Sequence, residues 1–229
     1  MATSQPIQFL PPRLARYAAF PWTLFLSWIA IVVVITALPA PSGGGRSAAD
    51  FEAVSVYSSE TFHVRKGPSG LHVVGGLLDG VSVESTELNG QRVFSLLRQG
   101  YTVARATTGA PTEQIILLYD PIQQLKYVVS DDDDGFKVKD PDGKLVTRMK
   151  IKEEKFNVYG ADDVRTLKGK PKKGTFVVRT EDESEVATLS FGHSLSNEEQ
   201  LLVGGILSLP IDPEYRLAIL AAKMPKSWK

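Results

Sequence analysis

Three histidines are the first residues of this chain that could bind a metal or act as a general base. His63, His72 and His193 are the only histidines among 229 residues. A neutral imidazole binds metals and accepts protons, but a metal site needs further ligands at short spacing or on adjacent elements. No two of these histidines stand at a metal-ligand spacing, and His63 and His72 lie in alternating, strand-like segments. We therefore interpret them as ordinary strand or surface histidines.

A near match to the nucleophile elbow G-x-S-x-G is the second candidate, written GHSLS at residues 192–196. The elbow places a serine on a strained turn between a parallel strand and a helix, and small residues permit that turn. Here Ser196 replaces the last glycine, and the preceding strand belongs to an antiparallel pattern. Ser196 also stands three residues before Glu199, which is the capping-box spacing S-x-x-E. The motif therefore predicts a helix start rather than a nucleophile at Ser194.

The run from Asp131 to Asp134, followed by Gly135, offers carboxylate oxygens of the kind that bind calcium. An EF-hand loop with Gly135 at its sixth position would end at Pro141, where a bidentate glutamate is required. The EF-hand is therefore excluded, and a solvated acidic hairpin loop is the favoured interpretation. A looser calcium site in this turn stays open as an alternative.

The absence of cysteine and the zero net charge exclude several classes of function. A chain without cysteine has no disulfide, thiolate metal site, iron–sulfur cluster or catalytic thiol. The 26 basic residues balance 26 acidic ones, whereas nucleic-acid binding needs a surplus of positive charge. We expect no nucleic-acid partner, no cofactor, no metal and no catalytic residue, and hence a protein that is not an enzyme. An enzyme whose site is assembled from scattered polar residues is the alternative.

A basic cluster is the remaining candidate for binding. It consists of Lys168, Lys170, Lys172 and Lys173, which stand around Gly169 and Pro171. Such a cluster can contact anionic lipid headgroups or an acidic partner. The alternative is a polar hairpin loop with no partner.

An uncharged run between Arg16 and Arg46 predicts that one helix anchors the chain in a membrane. Its apolar core, residues 21–40, reads PWTLFLSWIAIVVVITALPA. Twenty helical residues at ~1.5 Å each cover about 30 Å, the thickness of the hydrocarbon layer. The alternatives are a cleaved signal peptide, whose apolar region usually has only about 7–15 residues, and a buried core helix. The side chains that we expect to hold the anchor in lipid are Trp22, Phe25, Trp28, Ile31 and Val34.

The segments that flank this helix predict its orientation. Residues 1–20 form an N-terminal tail, and residues 41–50 form a flexible linker with three consecutive glycines. Arg13 and Arg16 precede the helix, whereas one arginine and two acids follow it. The positive-inside rule puts the N-terminus in the cytoplasm and the main domain in a periplasm or an equivalent space.

The rest of the chain predicts a mainly β soluble domain, built as an antiparallel meander or a barrel. Residues 51–110 form its β-rich first part, with short apolar alternations broken by turn residues. Within that part Asn89-Gly90 is a strong signal for a two-residue hairpin turn. Residues 111–194 continue as a meander that contains an internal repeat.

Three hairpin units of 20 residues make up this repeat, beginning at residues 135, 155 and 175. Phe136, Phe156 and Phe176 stand in register near the start of each unit, and an aspartate recurs at each turn. In the first unit, Phe136 and Val138 alternate with Lys137 and Lys139, so one face is apolar and the other is cationic. A lone hairpin cannot bury its apolar face, so successive hairpins must curl into a sheet or barrel.

Residues 195–229 predict two helices and a tail. The capping box starts the first helix, which ends before Pro210. Asp212 as N-cap and Pro213 at the first helical position start the second. Its sequence YRLAILAA is apolar on nearly every side except at Arg216, which is typical of a buried helix.

The strand, Asp-Gly turn and basic return strand of residues 136–160, followed by the apolar segment 215–222, resemble the LURP-one-related and tubby-like group. The resemblance covers residues 115–222. It implies a closed antiparallel barrel around a hydrophobic C-terminal helix, and the group includes phosphoinositide-binding tubby domains and phospholipid scramblases. This chain departs from the group in its N-terminal anchor and in residues 50–110. No binding residue of the group can be matched here.

Together these patterns predict a non-enzymatic, single-pass accessory subunit that stabilises or helps assemble a larger membrane complex, such as a photosynthetic or respiratory one. The β domain outside the membrane would make the contacts, with the membrane and integral subunits of the complex as partners. The alternative is a lipid-binding or lipid-handling domain of the tubby or scramblase type. That alternative predicts a hydrophobic cavity or a basic groove near residues 168–173.

Overall fold

Alternating apolar segments of five to eight residues build most of this domain, and two apolar helices follow them. The computed structural model describes residues 51–54, 61–67, 70–109, 114–172, 175–191 and 195–223. The strands are β1 (Phe51–Val54), β2 (Thr61–Gly67), β3 (Gly70–Val74), β4 (Val81–Leu88), β5 (Gln91–Arg98), β6 (Tyr101–Thr108), β7 (Ile115–Tyr119), β8 (Leu125–Asp132), β9 (Gly135–Lys139), β10 (Leu145–Lys152), β11 (Lys155–Tyr159), β12 (Arg165–Lys172), β13 (Thr175–Thr180) and β14 (Glu185–Phe191). The helices are α1 (Asn197–Leu207), α2 (Pro213–Lys223) and a short 3₁₀ helix (Gly76–Leu78) after β3.

All of these strands belong to one antiparallel sheet. From β2 to β14 each strand pairs with the next in sequence, and β1 pairs with both β2 and β14, which closes the sheet into a barrel. The predicted mainly β class and antiparallel meander are therefore confirmed. The predicted hairpin turn between β4 and β5 is also present, since Asn89 and Gly90 both have positive φ, at 54° and 76°.

The three predicted repeats are the hairpins β9–β10, β11–β12 and β13–β14. The hairpin β7–β8 is a fourth unit in the same register, beginning at Ile115, and the sequence comparison missed it. All four hairpins use the same turn, in which the fourth turn residue has a positive φ. These residues are Gln123 (φ 65°), Gly143 (φ 83°), Asp163 (φ 62°) and Glu183 (φ 66°).

Each of the four hairpins also has one irregularity at the same place. The pairing register shifts by one residue near the start of the return strand in β8, β10, β12 and β14. An extra residue in one strand increases the local right-handed twist. The repeated bulge therefore helps successive hairpins curl around a common interior.

The two C-terminal helices fill the part of this interior that the structure describes. Helix α1 packs against β10, β11 and β12, whereas α2 packs against α1 and against β5, β6 and β7. Every residue of α2 from Tyr215 to Ala221 is buried, as predicted. Helix α1 begins with the predicted capping box, in which Ser196 Oγ accepts from the Glu199 amide at 3.2 Å and Glu199 Oε2 accepts from the Ser196 amide at 2.8 Å.

Glycines allow α1 to approach the sheet closely. A Cβ atom on Gly204 would lie 2.9 Å from the Phe156 ring, and one on Gly205 would lie 2.9 Å from the Met149 sulfur. On β12, a Cβ atom on Gly169 would lie 2.2 Å from the same ring. Phe156 in turn stacks on Phe176 with 5.5 Å between the ring centroids. The glycine pair in α1, unfavourable for an isolated helix, is thus required by packing.

The barrel has two ends that differ in chemistry. We call the end where β1 begins the proximal end, because the predicted linker joins the barrel there, and Phe51 pairs with Phe191 at the end of β14. The turns after β8 and β10 and the start of α1 lie at this end as well. The distal end has the 3₁₀ helix, the β5–β6 turn and the turns of the four repeated hairpins.

The predicted tail (1–20), anchor (21–40) and linker (41–50) lie outside the described residues. In the part of the chain that the structure does describe, no helix is both long and apolar enough to cross a bilayer. The described residues all fall in one unit, residues 46–229.

Candidate functional site

The predicted lysine cluster lies on the outer face of β12. Lys168, Lys170 and Lys172 alternate with the inward-facing Leu167 and Gly169, so the three ammonium groups point to one side. Lys168 is neutralised by an ion pair with Glu183, a turn residue of the next hairpin. Lys170 and Lys172 are exposed, and Lys173 lies outside the described residues. The structure therefore keeps only part of this cluster as free positive charge.

Other bases on the outer wall of the repeats are paired in the same way. Lys137 contacts Asp132 at 2.9 Å, and Lys150 contacts Asp134 at 3.0 Å. The Lys137 ammonium donates to Asp132 and lowers the pKa of that carboxyl. Lys168 likewise lowers the pKa of the Glu183 carboxyl. Most of the cationic face predicted from the sequence is thus balanced by acids from the turns.

Four lysines at the proximal end differ from the rest of this wall, and we call them the proximal lysine patch. They are Lys152 at the end of β10, Lys155 at the start of β11, and Lys170 and Lys172 on β12. All four are exposed. Lys152 pairs directly with Lys155 across the ladder. Among the described residues, none of the four has a carboxylate within ion-pair distance.

Lys152 and Lys155 are the members of this patch that the sequence analysis missed. The 20-residue repeat contained the signal, because it places Lys152 in register with Lys172 and Lys150 with Lys170. Applied to charges, it predicts lysines near the same end of successive return strands; in the ladder Lys150 is level with Asn157 and Lys168.

A cleft of 520 Å³ opens in the mouth of the barrel at the same end. Its apolar wall includes Ile151, Phe176 and Leu201, and its polar lining includes Glu153 and Glu198. The remaining lining residues are Glu154, Pro171, Asn197 and Gln200. No lysine lines it, so the basic groove predicted near residues 168–173 is not this cleft. The lysines stand on the outer wall beside it.

Exposed apolar side chains collect at the distal end. Tyr101 in the β5–β6 hairpin is 78% exposed, Ile122 in the β7–β8 turn is 72% exposed, and Leu77 in the 3₁₀ helix is 58% exposed. We call these three the distal apolar tips. Arg98 links two of them, because its guanidinium donates to the Leu77 carbonyl beside the β5–β6 turn. Val74 and Val164 are exposed at this end too, and only Leu88 among the described large apolar residues is exposed at the other.

The distal turns are also acidic. The four repeated turns, residues 120–124, 140–144, 160–164 and 180–184, contain eight acidic residues and one lysine. Several of these acids pair with wall residues, such as Asp163 with Arg148 at 2.5 Å and Asp120 with Lys126 at 3.3 Å. The distal end therefore combines apolar tips with a ring of carboxylates, which suits a partner surface with apolar and basic residues.

The acidic run is a set of ion pairs in the structure. Asp132 and Asp134 contact Lys137 and Lys150, and Asp131 contacts Lys223 at the end of α2. Among the described residues, no group of three or more histidines, aspartates and glutamates is placed to hold a metal ion. His193, Ser194 and the anchor side chains Trp22, Phe25, Trp28, Ile31 and Val34 lie outside the described residues.

Two polar residues of α2 are buried and have structural roles. Arg216 donates from Nε to the Ile211 carbonyl at 2.8 Å and from Nη1 to the Leu207 carbonyl at 3.1 Å, so it ties together the connection between the helices. Tyr215 packs edge-on against Tyr127 with 5.1 Å between the ring centroids. Burial raises the pKa of the Tyr215 phenol to about 12. Its neutral form is thus favoured over the whole physiological range.

No family model matches this chain, and no curated protein is significantly similar to it.

Proposed function

We propose that this protein is a non-enzymatic, single-pass accessory subunit, which stabilises or helps assemble a larger membrane complex of the photosynthetic or respiratory kind. In this proposal the distal apolar tips dock on the extra-membrane surface of a partner subunit. The observation that carries the proposal is that five of the six exposed large apolar side chains among the described residues lie at the distal end of the barrel. Exposed apolar side chains that lie together mark interaction sites on soluble surfaces.

The position of the tips supports the same proposal. The predicted anchor and linker lead into β1 at the proximal end, and the tips are at the opposite end of the barrel. The carboxylates around the tips favour basic residues on that partner, because complementary charge speeds encounter and fixes orientation.

The experiment is purification of the full-length chain from its native membrane in a mild detergent, followed by native electrophoresis. Wild-type protein is expected to migrate with a defined set of partner subunits. A triple substitution of Leu77, Tyr101 and Ile122 to serine is expected to release it as a free chain. Leu88→Ser is the matched control, because Leu88 is 62% exposed but lies at the proximal end.

Two results would count against the docking proposal. The first is wild-type protein that migrates alone from its native membrane. The second is equal loss of the complex in Leu88→Ser and in the triple variant, since the distal tips would then have no special part.

Lipid binding is the second candidate function, and the proximal cleft favours it. A volume of 520 Å³ lies within the range of about 300–1,000 Å³ that is typical of small-molecule sites. Its apolar wall suits an acyl chain. Mass spectrometry of the purified full-length protein would test this, with Leu201→Trp as a variant that fills the cleft. A co-purifying lipid that Leu201→Trp leaves unchanged would remove this candidate.

A further inference from the structure

We infer that the proximal lysine patch, formed by Lys152, Lys155, Lys170 and Lys172, binds the anionic phospholipid headgroups of the membrane in which the chain is anchored. This contact would hold the barrel with its proximal end on the bilayer and its distal end turned towards a partner. The inference deepens the proposed function and rests on its membrane anchor.

The arrangement of the lysines is the first support. Lys152 and Lys155 are direct cross-strand partners, and β12 with Lys170 and Lys172 is the next strand in the sheet. Neighbouring strands are about 4.8 Å apart, and like charges placed directly opposite each other destabilise a sheet. Such a grouping is favourable when an external anion neutralises it.

The contrast with the surrounding wall is the second support. Elsewhere on β9 to β13, outward bases such as Lys137, Arg148 and Lys168 each contact an acid from a turn or a neighbouring strand. Lys150, two residues before the end of β10, still contacts Asp134, whereas the four patch lysines have no ion pair in the described residues. The four lysines outnumber Glu153 and Glu154, the two acids in the turn between Lys152 and Lys155, so the patch keeps a surplus of positive charge at the proximal end.

The covalent reach of the chain is the third support. Ten residues, 41–50, separate the predicted anchor from β1, and ten extended residues span at most about 35 Å. Phe51, at the proximal end, therefore lies within about 35 Å of the bilayer if the anchor is inserted. Electrostatic attraction at physiological ionic strength is screened over about 8 Å, so only charges that face the headgroups contribute. The patch is at the end where this condition can be met.

The test uses the absence of cysteine from the chain, which makes any introduced cysteine unique. Full-length Ser190→Cys is labelled with a donor dye at the proximal end, and Asp142→Cys carries the same dye at the distal end. Both proteins are inserted into nanodiscs that carry an acceptor on their headgroups. The discs contain either zwitterionic lipid alone or the same lipid with added phosphatidylglycerol.

Energy transfer from the Ser190→Cys label is expected to report a ratio of docked to undocked barrels that is ~10-fold or more larger when phosphatidylglycerol is present. Salt at 0.5 M is expected to remove this gain. The Asp142→Cys label should show weaker transfer under the same conditions. Replacement of all four patch lysines with glutamine is expected to abolish the lipid dependence.

A matched variant controls for the loss of charge. It replaces Lys126, Lys139, Lys144 and Arg165 with glutamine, removing the same charge at the distal end, and it is expected to retain the lipid dependence. Far-UV circular dichroism checks that each variant is folded. If the quadruple patch variant does not fold, the double variant of the exposed Lys170 and Lys172 replaces it, with Lys139 and Lys144 as its control pair.

The outcomes separate this inference from the proposed function. Insertion of the chain with no response to phosphatidylglycerol overturns the headgroup inference alone, and an acidic protein would then be the occupant of the patch. Equal loss of response in the two quadruple variants overturns it as well. A chain that no nanodisc retains would overturn both the anchor and the inference.

Discussion

The inner face of the repeated hairpins is stabilised by close packing, whereas the outer face is covered by exposed ion pairs. On the inner face large and small residues must match their neighbours, as Phe156 does between Gly169, Gly204 and the stacked Phe176. On the outer face each base needs only some acid within reach, as Lys150 finds in Asp134. Because protein interiors are close-packed, each side chain on the inner face must fit the shape of its neighbours. Exposed ion pairs contribute little and form in many arrangements.

This difference indicates where function can be placed without loss of the fold. The side chains of the inner face pack against the two helices, so a substitution there changes the free energy of unfolding. On the outer face, residues can depart from the pattern of paired bases and acids without disturbing the core. They do so at both ends of the barrel. The lysines of the proximal patch lack the ion pairs that Lys137, Lys150 and Lys168 make, and the distal apolar tips expose side chains that the fold does not need to bury.

The largest effect should come from the inner face. Gly169→Ala places a methyl group 2.2 Å from ring atoms of Phe156, which is itself held by Phe176. Overpacking of this kind costs about 3 kcal/mol of unfolding free energy. Urea unfolding of the full-length chain in detergent measures it, with the exposed neighbour Lys170→Ala as the outer-face control at under about 0.5 kcal/mol. Equal costs at the two positions would break the comparison.

The next effect comes from Tyr215, an inner-face phenol. Burial raises its pKa from 10.0 to about 12, so the folded state favours the neutral form. Stability is complete below pH 10 and falls as the pH rises towards 12, by about 2 kcal/mol from this group. Unfolding experiments across that range, with Tyr215→Phe alongside, isolate its share from that of the lysines. A Phe variant with the same alkaline loss would refute this assignment.

Substitutions in the turns should change the free energy of unfolding by a smaller amount, upwards in one hairpin and downwards in the next. Gln123 and Gly143 occupy the same left-handed position in neighbouring hairpins, with φ values of 65° and 83°. A side chain there costs about 1 kcal/mol relative to glycine, partly offset by chain entropy. We expect Gln123→Gly to raise the free energy of unfolding by about 0.5 kcal/mol and Gly143→Gln to lower it by about the same amount. Changes of the same sign in the two variants would show that the turns are not equivalent.

The smallest effect belongs to the outer face. Lys137→Gln removes the partner of Asp132 and should cost about 0.5 kcal/mol or less. The lowered pKa of Asp132 means that the pair stabilises the fold above the usual value of 3.8 and that this contribution is lost as the pH falls through the lower folded value. Unfolding at pH 3 and pH 7 should therefore show a weaker acid loss in Lys137→Gln. A cost comparable to that of Gly169→Ala would erase the distinction between the faces.

Local pattern was enough to predict the regular part of the fold. The 20-residue spacing of Phe136, Phe156 and Phe176 predicted three hairpins, and the strands begin where that spacing placed them. The fourth unit was missed because Ile116 stands where the others have phenylalanine and because its turn, DPIQQ, lacks the second aspartate. Backbone conformation at Gln123 shows that the turn is nevertheless the same.

Long-range features could not be predicted in this way. Closure of the sheet depends on pairing between β1 and β14, which are separated by most of the chain. The reason for glycine at positions 204 and 205 is contact with Phe156 and Met149, and no local rule contains it. The proximal lysine patch needs the ladder register, which brings in Lys152 and Lys155, and the ion pair that neutralises Lys168, and spacing alone contains neither.

Site-specific photo-crosslinking in the native membrane tests the central claim, that this barrel docks a partner through its distal end. A crosslinking amino acid replaces Tyr101 at the distal tips, Leu88 at the proximal end, or Thr188 on the outer wall. The account predicts one discrete protein adduct from position 101 and none from position 188, with lipid rather than protein adducts at position 88. An equal yield of the same protein adduct at all three positions, or no protein adduct at position 101, would contradict it.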